Sequence, residues 1–179
     1  MKKTCVFITG TNGAGKTTLA KEIIRRRGGI AQVENRLTIL EDRRYTFAGK
    51  YGDGRYGGVD GLSETRGLEE MARRAFEHHD VFICEGSYMN SFGMNLTNAM
   101  FVAERFLVVF LYAPLEELKD RLENRGKGGL TAGVIAKQRQ ALSAAQKWAQ
   151  IGVKVMNYNT AHTSIPDIAE AVINRIERE

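Results

Sequence analysis

Short apolar runs alternate along this chain with longer segments in which apolar residues recur at helical spacing. The short runs predict β-strands at Thr4–Ile8, Leu37–Leu40, Val81–Cys84, Phe106–Tyr112 and Val153–Met156. The helical spacing predicts helices at Thr17–Arg27, Leu62–Glu77, from Pro114 onward, Thr131–Gln150 and Ile165–Ile176. Because strands and helices alternate and two strands are apolar throughout, we expect a three-layer α/β fold. Its five-stranded, mostly parallel sheet would carry helices on both faces and bind ligands at the carboxyl ends of the strands.

Composition narrows the class of protein. The 179 residues are 43% hydrophobic and 26% charged, which suits one globular domain over residues 1–179. Cys5 and Cys84 lie inside apolar runs, so we expect buried free thiols and a reducing, cytoplasmic environment. No apolar stretch approaches the roughly 20 residues of a membrane span. The net charge of +5 suits a polyanionic or phosphate-bearing partner without choosing between them.

The strongest motif is Gly10-Thr11-Asn12-Gly13-Ala14-Gly15-Lys16-Thr17, followed by Thr18. It matches the P-loop pattern at every fixed position, after a predicted strand and before a predicted helix. We expect these residues to bind ATP, because backbone N–H groups at a helix N-terminus favour an anion. Lys16 would reach the β- and γ-phosphates and the Thr17 hydroxyl would ligate Mg²⁺. The alternative is an accidental glycine turn.

With this motif the chain resembles the P-loop kinases, which include nucleotide, nucleoside and polynucleotide kinases. The segment Asp80–Gly86 is an apolar strand that ends in Glu85. In the family this position orients Mg²⁺ or a bound water, so the resemblance implies a metal-binding role for Glu85. The alternative is a carboxylate that caps the strand end or forms an ion pair, with no metal in reach.

The segment Phe110–Glu117 and the basic residues after it resemble the strand and lid of these kinases, with a short lid at about 121–131. Arg121 and Arg125 are four residues apart and lie on one helix face. The resemblance implies that both stabilise the transferring phosphoryl group. Arg121 could instead form only an ion pair with Glu117.

The polar residues after the Leu37–Leu40 run resemble the base and substrate clamp of nucleoside and polynucleotide kinases. On this interpretation Asp42, or failing it Glu41, deprotonates the acceptor hydroxyl, and Arg43 and Arg44 bind the substrate. The alternative is a solvated charge cluster.

A glycine-rich segment at Gly49–Gly67 is the compositional anomaly of the chain. We interpret about 43–67 as a substrate-binding insertion, because glycines with tyrosines and arginines suit a loop that stacks bases and contacts phosphates. The expected substrate-binding residues are Tyr51, Arg55, Tyr56 and Asp60, together with Tyr88 from the stretch beyond Glu85. The alternative is a flexible surface loop.

The nucleotide is expected to be ATP. A GTPase would show an Asn-Lys-x-Asp motif, and none of the asparagines begins one. A remodelling ATPase would need sensor elements for which the chain has little room. Tyr158 and Asn159, after the last predicted strand, are the expected adenine contacts, although their sequence does not distinguish ATP from GTP.

The P-loop, the Gly57–Gly61 segment, the Ile83–Gly86 strand end and the basic charge together resemble the bacteriophage kinases that phosphorylate 5-hydroxymethyluracil in DNA. That resemblance implies DNA as the substrate, with Arg43, Arg44 and Arg55 in contact with its backbone. Two other functions stay open: a kinase of free nucleosides or nucleotides, and a nucleotide-binding regulatory module without transfer activity.

Overall fold

A computed structural model describes residues 2–52, 58–61, 67–126 and 129–178. The strands are β1 (Thr4–Gly10), β2 (Ile30–Glu34), β3 (Leu37–Leu40), β4 (Tyr45–Ala48), β5 (Val81–Glu85), β6 (Arg105–Tyr112) and β7 (Lys154–Asn159). The α-helices are α1 (Lys16–Arg26), α2 (Leu68–His78), α3 (Met94–Phe101), α4 (Leu115–Glu123), α5 (Ala132–Gln150) and α6 (Ile165–Glu177). Two short 3₁₀ helices lie at Val59–Gly61 and Ser87–Asn90.

The strands form one sheet in the order β2-β3-β4-β5-β1-β6-β7. The strands from β4 to β7 run parallel, and β2 and β3 form an antiparallel hairpin on the β4 edge. The α/β, mostly parallel architecture is confirmed, but the expected five strands are wrong, because the sheet has seven strands within the described residues. The sequence pattern missed the mostly exposed β2 and the four-residue β4.

Helices cover both faces of the sheet, which confirms the three layers. On one face, Val6 and Ile8 of β1 pack with α1 and α6. On the other face, Cys5 and Phe7 pack with α2, α3 and Trp148 of α5. Alternate residues of the central strand thus enter opposite cores, as the side-chain period of a strand requires.

The thiols of Cys5 and Cys84 are free and buried, as expected. Within the described residues, no helix is both long and apolar enough to cross a membrane.

Candidate functional site

The P-loop joins the carboxyl end of β1 to the start of α1. Gly15, immediately before α1, has a φ of 97°, a left-handed conformation that favours glycine, and no side chain caps the helix. The first-turn N–H groups of α1 therefore face outward without a side-chain acceptor, and the helix dipole adds partial positive charge there. This backbone geometry is suited to an anionic ligand.

Lys16 is folded back into the loop. Its side chain is 8% exposed, and Nζ donates a hydrogen bond to the Thr11 carbonyl oxygen at 3.0 Å. Burial lowers the pKa of this ammonium group, while the Glu85 carboxylate acts in the opposite direction. An incoming phosphate would offer Nζ a stronger, charge-assisted partner than the carbonyl.

Glu85 lies beside Thr17 at the end of β5. Thr17 Oγ1 donates to Glu85 Oε1 at 3.2 Å, and the hydroxyl of Tyr51 donates to the same oxygen at 3.2 Å. Glu85 is 2% exposed, and burial raises its pKa to about 6 despite the opposing effect of Lys16. The carboxylate is thus held at the phosphate edge by two hydroxyl donors.

Thr17 and Glu85 offer a hydroxyl and one carboxylate, both hard oxygen ligands. The described residues contain no cluster of three or more His, Cys, Asp or Glu side chains that could hold a metal ion. Mg²⁺ is commonly bound through one or two carboxylates while waters and substrate phosphates complete its octahedron. The donor set therefore fits Mg²⁺ bound together with a nucleotide.

A short segment around Gly58 covers Glu85. Gly58 has a φ of 86°, and a Cβ built on it would overlap the carbonyl oxygen and Oε1 of Glu85. Two residues on, Asp60 accepts hydrogen bonds from the backbone N–H groups of Ser87 at 2.8 Å and Tyr88 at 3.2 Å. The segment that buries Glu85 thus also holds the 3₁₀ helix that follows β5.

Asn90 fixes the start of the P-loop, a role that the sequence analysis missed. Its Oδ1 accepts from Thr9 Oγ1 at 2.6 Å and from the Gly10 N–H at 2.9 Å, and its Nδ2 donates to the Gly10 carbonyl oxygen at 3.1 Å. Asn90 is 1% exposed. No local motif marks it, because the contact joins residues 80 positions apart.

Arg121 connects the P-loop to the loop after β7. Its guanidinium donates to the carbonyl oxygen of Gly13 at 3.2 Å, to Thr160 Oγ1 at 2.8 Å and to the Thr160 carbonyl oxygen at 2.9 Å. It also forms an ion pair with Glu117 at 2.9 Å, the contact that the sequence analysis named as the alternative for Arg121. Arg125 is exposed at the end of α4, and residues 127–128 of the expected lid lie outside the described residues.

The two expected adenine contacts have local structural partners. Tyr158 packs against the core between the sheet and the α1–α6 layer. Asn159 Oδ1 accepts from the Ala161 N–H at 3.0 Å and so shapes the turn after β7.

A cavity of about 540 Å³ opens beside the P-loop. It is lined by residues from the P-loop, the two 3₁₀ helices, the residue that follows the second of them, and α5: Asn12, Asp60, Ser87, Tyr88, Ser91, Lys137 and Gln140. The structure thus brings the expected substrate residues Asp60 and Tyr88 to the phosphate edge. Lys137 and Gln140 were missed by the sequence analysis. Polar residues three apart on a long helix are also typical of an ordinary solvent-exposed face.

The expected general base has to be corrected. Asp42 and Glu41 follow β3, which is antiparallel to β4, so they lie at the opposite edge of the sheet from the P-loop. The backbone N–H of Asp42 donates to the Arg27 carbonyl oxygen at 3.1 Å, just beyond the end of α1. Lys16 begins that 11-residue helix, which is about 16 Å long. Neither carboxylate lies beside the phosphate site.

Arg43 and Arg44 share this placement, so the structure does not bring these expected substrate-binding residues to the phosphate edge. The Arg44 carbonyl oxygen accepts from the Val81 N–H at 2.8 Å, at the beginning of β5. Tyr51 does lie at the phosphate edge, but its side chain is 4% exposed, so its ring cannot stack on a base in this structure. Arg55 and Tyr56 lie outside the described residues.

Comparison with known proteins supports this architecture. A family model described as "AAA domain" matches residues 6–140. No curated protein sequence matches the chain.

Three solved structures illustrate the likeness in fold. YorR from Bacillus subtilis, in complex with phosphorylated GDP, is 16% identical with a TM-score of 0.57, over 97% of this chain and 95% of that one. An unliganded sugar kinase from a Janibacter species is 16% identical with a TM-score of 0.56, over 98% and 94%. Deoxyadenosine kinase from M. mycoides, with dCMP and a flexible dCDP, is 12% identical with a TM-score of 0.51, over 98% and 100%. At these identities the likeness is one of fold.

Proposed function

This chain belongs to the AAA-domain family, and from its P-loop site we propose that it is an ATP-dependent phosphotransferase acting on a hydroxyl group of a small molecule. The observation that carries the proposal is the convergence of Lys16, Thr17 and Glu85 at one edge of the sheet, beside an open cavity. The family's description specifies no reaction, so the reaction is inferred from these side chains.

The donor half of the reaction uses the P-loop. The backbone N–H groups of residues 10–18 bind the phosphates, and Lys16 leaves the Thr11 carbonyl oxygen to contact the β- and γ-phosphates. Thr17 and Glu85 would hold Mg²⁺, which would neutralise charge that develops on the phosphate oxygens. Arg125 adds positive charge from the end of α4, whereas Arg121 keeps the P-loop and the loop after β7 together.

The acceptor half uses the cavity beside the P-loop. The acceptor hydroxyl oxygen forms a bond to the γ-phosphorus, and the bond from that phosphorus to the bridging oxygen breaks, which releases ADP. Asp60 is the carboxylate that lines this cavity, so it orients the hydroxyl and accepts its proton. Each Asp60 oxygen already accepts one backbone N–H and retains a lone pair for the acceptor.

A small molecule is a better acceptor than DNA for this arrangement. Arg43 and Arg44 lie at the wrong edge to bind a DNA backbone beside the P-loop, and the Tyr51 ring is buried. A cavity of about 540 Å³ is within the usual size of a small-molecule site. The fold is also shared with a sugar kinase and a deoxyadenosine kinase.

The test is transfer of label from γ-labelled ATP with Mg²⁺ to sugars, free nucleosides and nucleoside monophosphates. DNA that contains 5-hydroxymethyluracil and DNA with 5′-hydroxyl ends are offered in parallel. We expect label on a small molecule, and its loss in Lys16→Met but not in Lys21→Met, an exposed lysine of α1.

Label on DNA alone would overturn the small-molecule proposal. ATP binding without transfer to any acceptor would instead favour the regulatory module.

A further inference from the structure

The cavity beside the P-loop is lined by a positively charged side chain, that of Lys137, to which the proposed transfer reaction assigns no role. Lys137 lies in the second turn of α5 and is exposed to the cavity, where Gln140 accompanies it one turn later. Within the described parts of the chain, Lys137 forms no ion pair. Asp60, the carboxylate of the same cavity, directs both of its oxygens to backbone N–H groups.

The remaining lining side chains are uncharged and polar. Asn12 and Gln140 are amides, and Ser87, Ser91 and Tyr88 carry hydroxyl groups. Such groups donate to and accept from hydroxyls, and Tyr88, which is 49% exposed, offers a ring face to a sugar or a similar ring. The cavity therefore combines many hydroxyl-binding groups with one lysine that has no carboxylate partner among the described residues.

We infer that the acceptor is a hydroxylated small molecule with one acidic group, a phosphate or a carboxylate, which Lys137 binds. This inference rests on the proposed function, because it assigns the acceptor side of the same site. Of the seven lining residues in the described part of the chain, only Asn12 belongs to the P-loop, so Lys137 is assigned to the acceptor and not to the nucleotide.

Lys137 is thus a specificity-determining residue. It distinguishes acidic acceptors from neutral ones of the same shape, whereas Asp60 and the P-loop act on the hydroxyl and the phosphates. A charge-assisted hydrogen bond from a lysine corresponds to roughly a tenfold preference or more.

The experiment measures binding first and turnover second. Three matched pairs serve as probes: ribose and ribose 5-phosphate, glucose and gluconate, deoxyadenosine and its 5′-monophosphate. Each is titrated by calorimetry into the full chain with Mg²⁺ and a non-hydrolysable ATP analogue. The variants are Lys137→Gln, Lys137→Arg and Lys147→Gln, the last being an exposed lysine near the other end of α5.

We expect the acidic member of at least one pair to bind about tenfold or more tightly than its neutral counterpart. Lys137→Gln should abolish that preference and leave the affinity for the ATP analogue unchanged, while Lys137→Arg and Lys147→Gln retain it. The pairs with phosphate and with carboxylate distinguish the two acidic groups.

Equal binding within every pair, or a preference that survives in Lys137→Gln, would overturn the inference. A Lys137→Gln variant that loses the ATP analogue instead would assign Lys137 to the nucleotide and overturn it as well. If the preference is present but no probe that binds is phosphorylated, the inference stands and the proposed transfer activity fails.

Discussion

The Tyr51 hydroxyl and the Glu85 carboxylate form a buried hydrogen bond of 3.2 Å between the segment after β4 and the end of β5. Because Thr17 donates to the same carboxylate oxygen, Glu85 is held against the P-loop from two sides. Because the buried carboxylate has lost its hydration, its ionised form lowers the free energy of unfolding of the protein.

Glu85→Gln should stabilise the metal-free, nucleotide-free protein at neutral pH. Burial raises the pKa of Glu85 from 4.5 to about 6, so the folded protein binds this proton more tightly than the unfolded chain does. The tighter binding of this proton stabilises the folded protein fully below about pH 4.5. This stabilisation is lost as the pH rises through 6, so the free energy of unfolding is lower by about 2 kcal/mol above pH 7. Urea unfolding with a chelator at pH 5 and pH 7.5 measures the difference.

Glu77→Gln, an exposed residue of α2, is the control for that series. Glu85→Gln should gain stability at pH 7.5 relative to this control and lose Mg²⁺-dependent transfer. Equal unfolding of the two variants at both pH values would contradict the burial effect.

Gly58→Ala should destabilise the protein more than Gly29→Ala. Both glycines have a left-handed φ, 86° and 96°, so both substitutions carry the same conformational cost of about 1–2 kcal/mol. Only at Gly58 does the added methyl overlap Glu85, whereas nothing lies within 4 Å at Gly29. We expect an additional loss of about 1–3 kcal/mol for Gly58→Ala, measured by chemical denaturation. Equal losses would mean that the segment does not pack on Glu85 in solution.

Arg121→Ala should raise the KM for ATP more than it lowers kcat. The guanidinium holds Gly13 of the P-loop and Thr160 after β7, so its removal disturbs the nucleotide site before the chemical step. We expect a KM increase of about tenfold, corresponding to the lost charge-assisted hydrogen bond to the Gly13 carbonyl oxygen of the P-loop. Lys119→Ala, on the same helix, is the control.

A fall in kcat of about 10³-fold with an unchanged KM would instead show that Arg121 stabilises the transferring phosphoryl group. The two outcomes distinguish a structural connection from direct catalysis in one steady-state experiment.

Asp60→Asn should lower transfer strongly, and Asp42→Asn should not. Asp60 lines the cavity beside the P-loop, whereas Asp42 forms an ion pair with Arg27 at 3.6 Å on the opposite edge of the sheet. We expect a loss in kcat of about 10²-fold or more for Asp60→Asn and a change below twofold for Asp42→Asn. Thermal unfolding of both variants separates loss of chemistry from loss of the Ser87 and Tyr88 hydrogen bonds.

Sequence reasoning predicted the donor side of the site mainly from one contiguous motif, and the structure brings Thr17 of that motif beside Glu85. Residues 10–18 form a single motif, and Glu85 follows a continuous apolar run. The two segments lie side by side if β1 and β5 are parallel neighbours, which they are. The acceptor side depends on strand direction instead. Tyr45–Ala48 follows four charged residues and has only four positions, so the parallel neighbour of β5 was missed and β3 took its place.

Because β3 was taken for the parallel neighbour of β5, the base was expected after β3, which ends at the opposite edge of the sheet from the P-loop. Had β4 been recognised, the residues after Ala48 would have been placed beside Glu85, where Tyr51 lies. Asn90 and Lys137 could not be found in this way, because their roles arise from contacts across the fold and not from local pattern.

The segment at residues 58–61 contacts both the proposed metal ligand and the proposed acceptor site. Through Gly58 it shields Glu85 from water, and through Asp60 it forms part of the cavity wall. A cation that binds Glu85 and an acceptor that binds Asp60 therefore both contact the same four-residue segment or the residue it covers. Any shift of this segment on binding couples the two ligands, and thermodynamic reciprocity then requires each to change the other's affinity by the same factor.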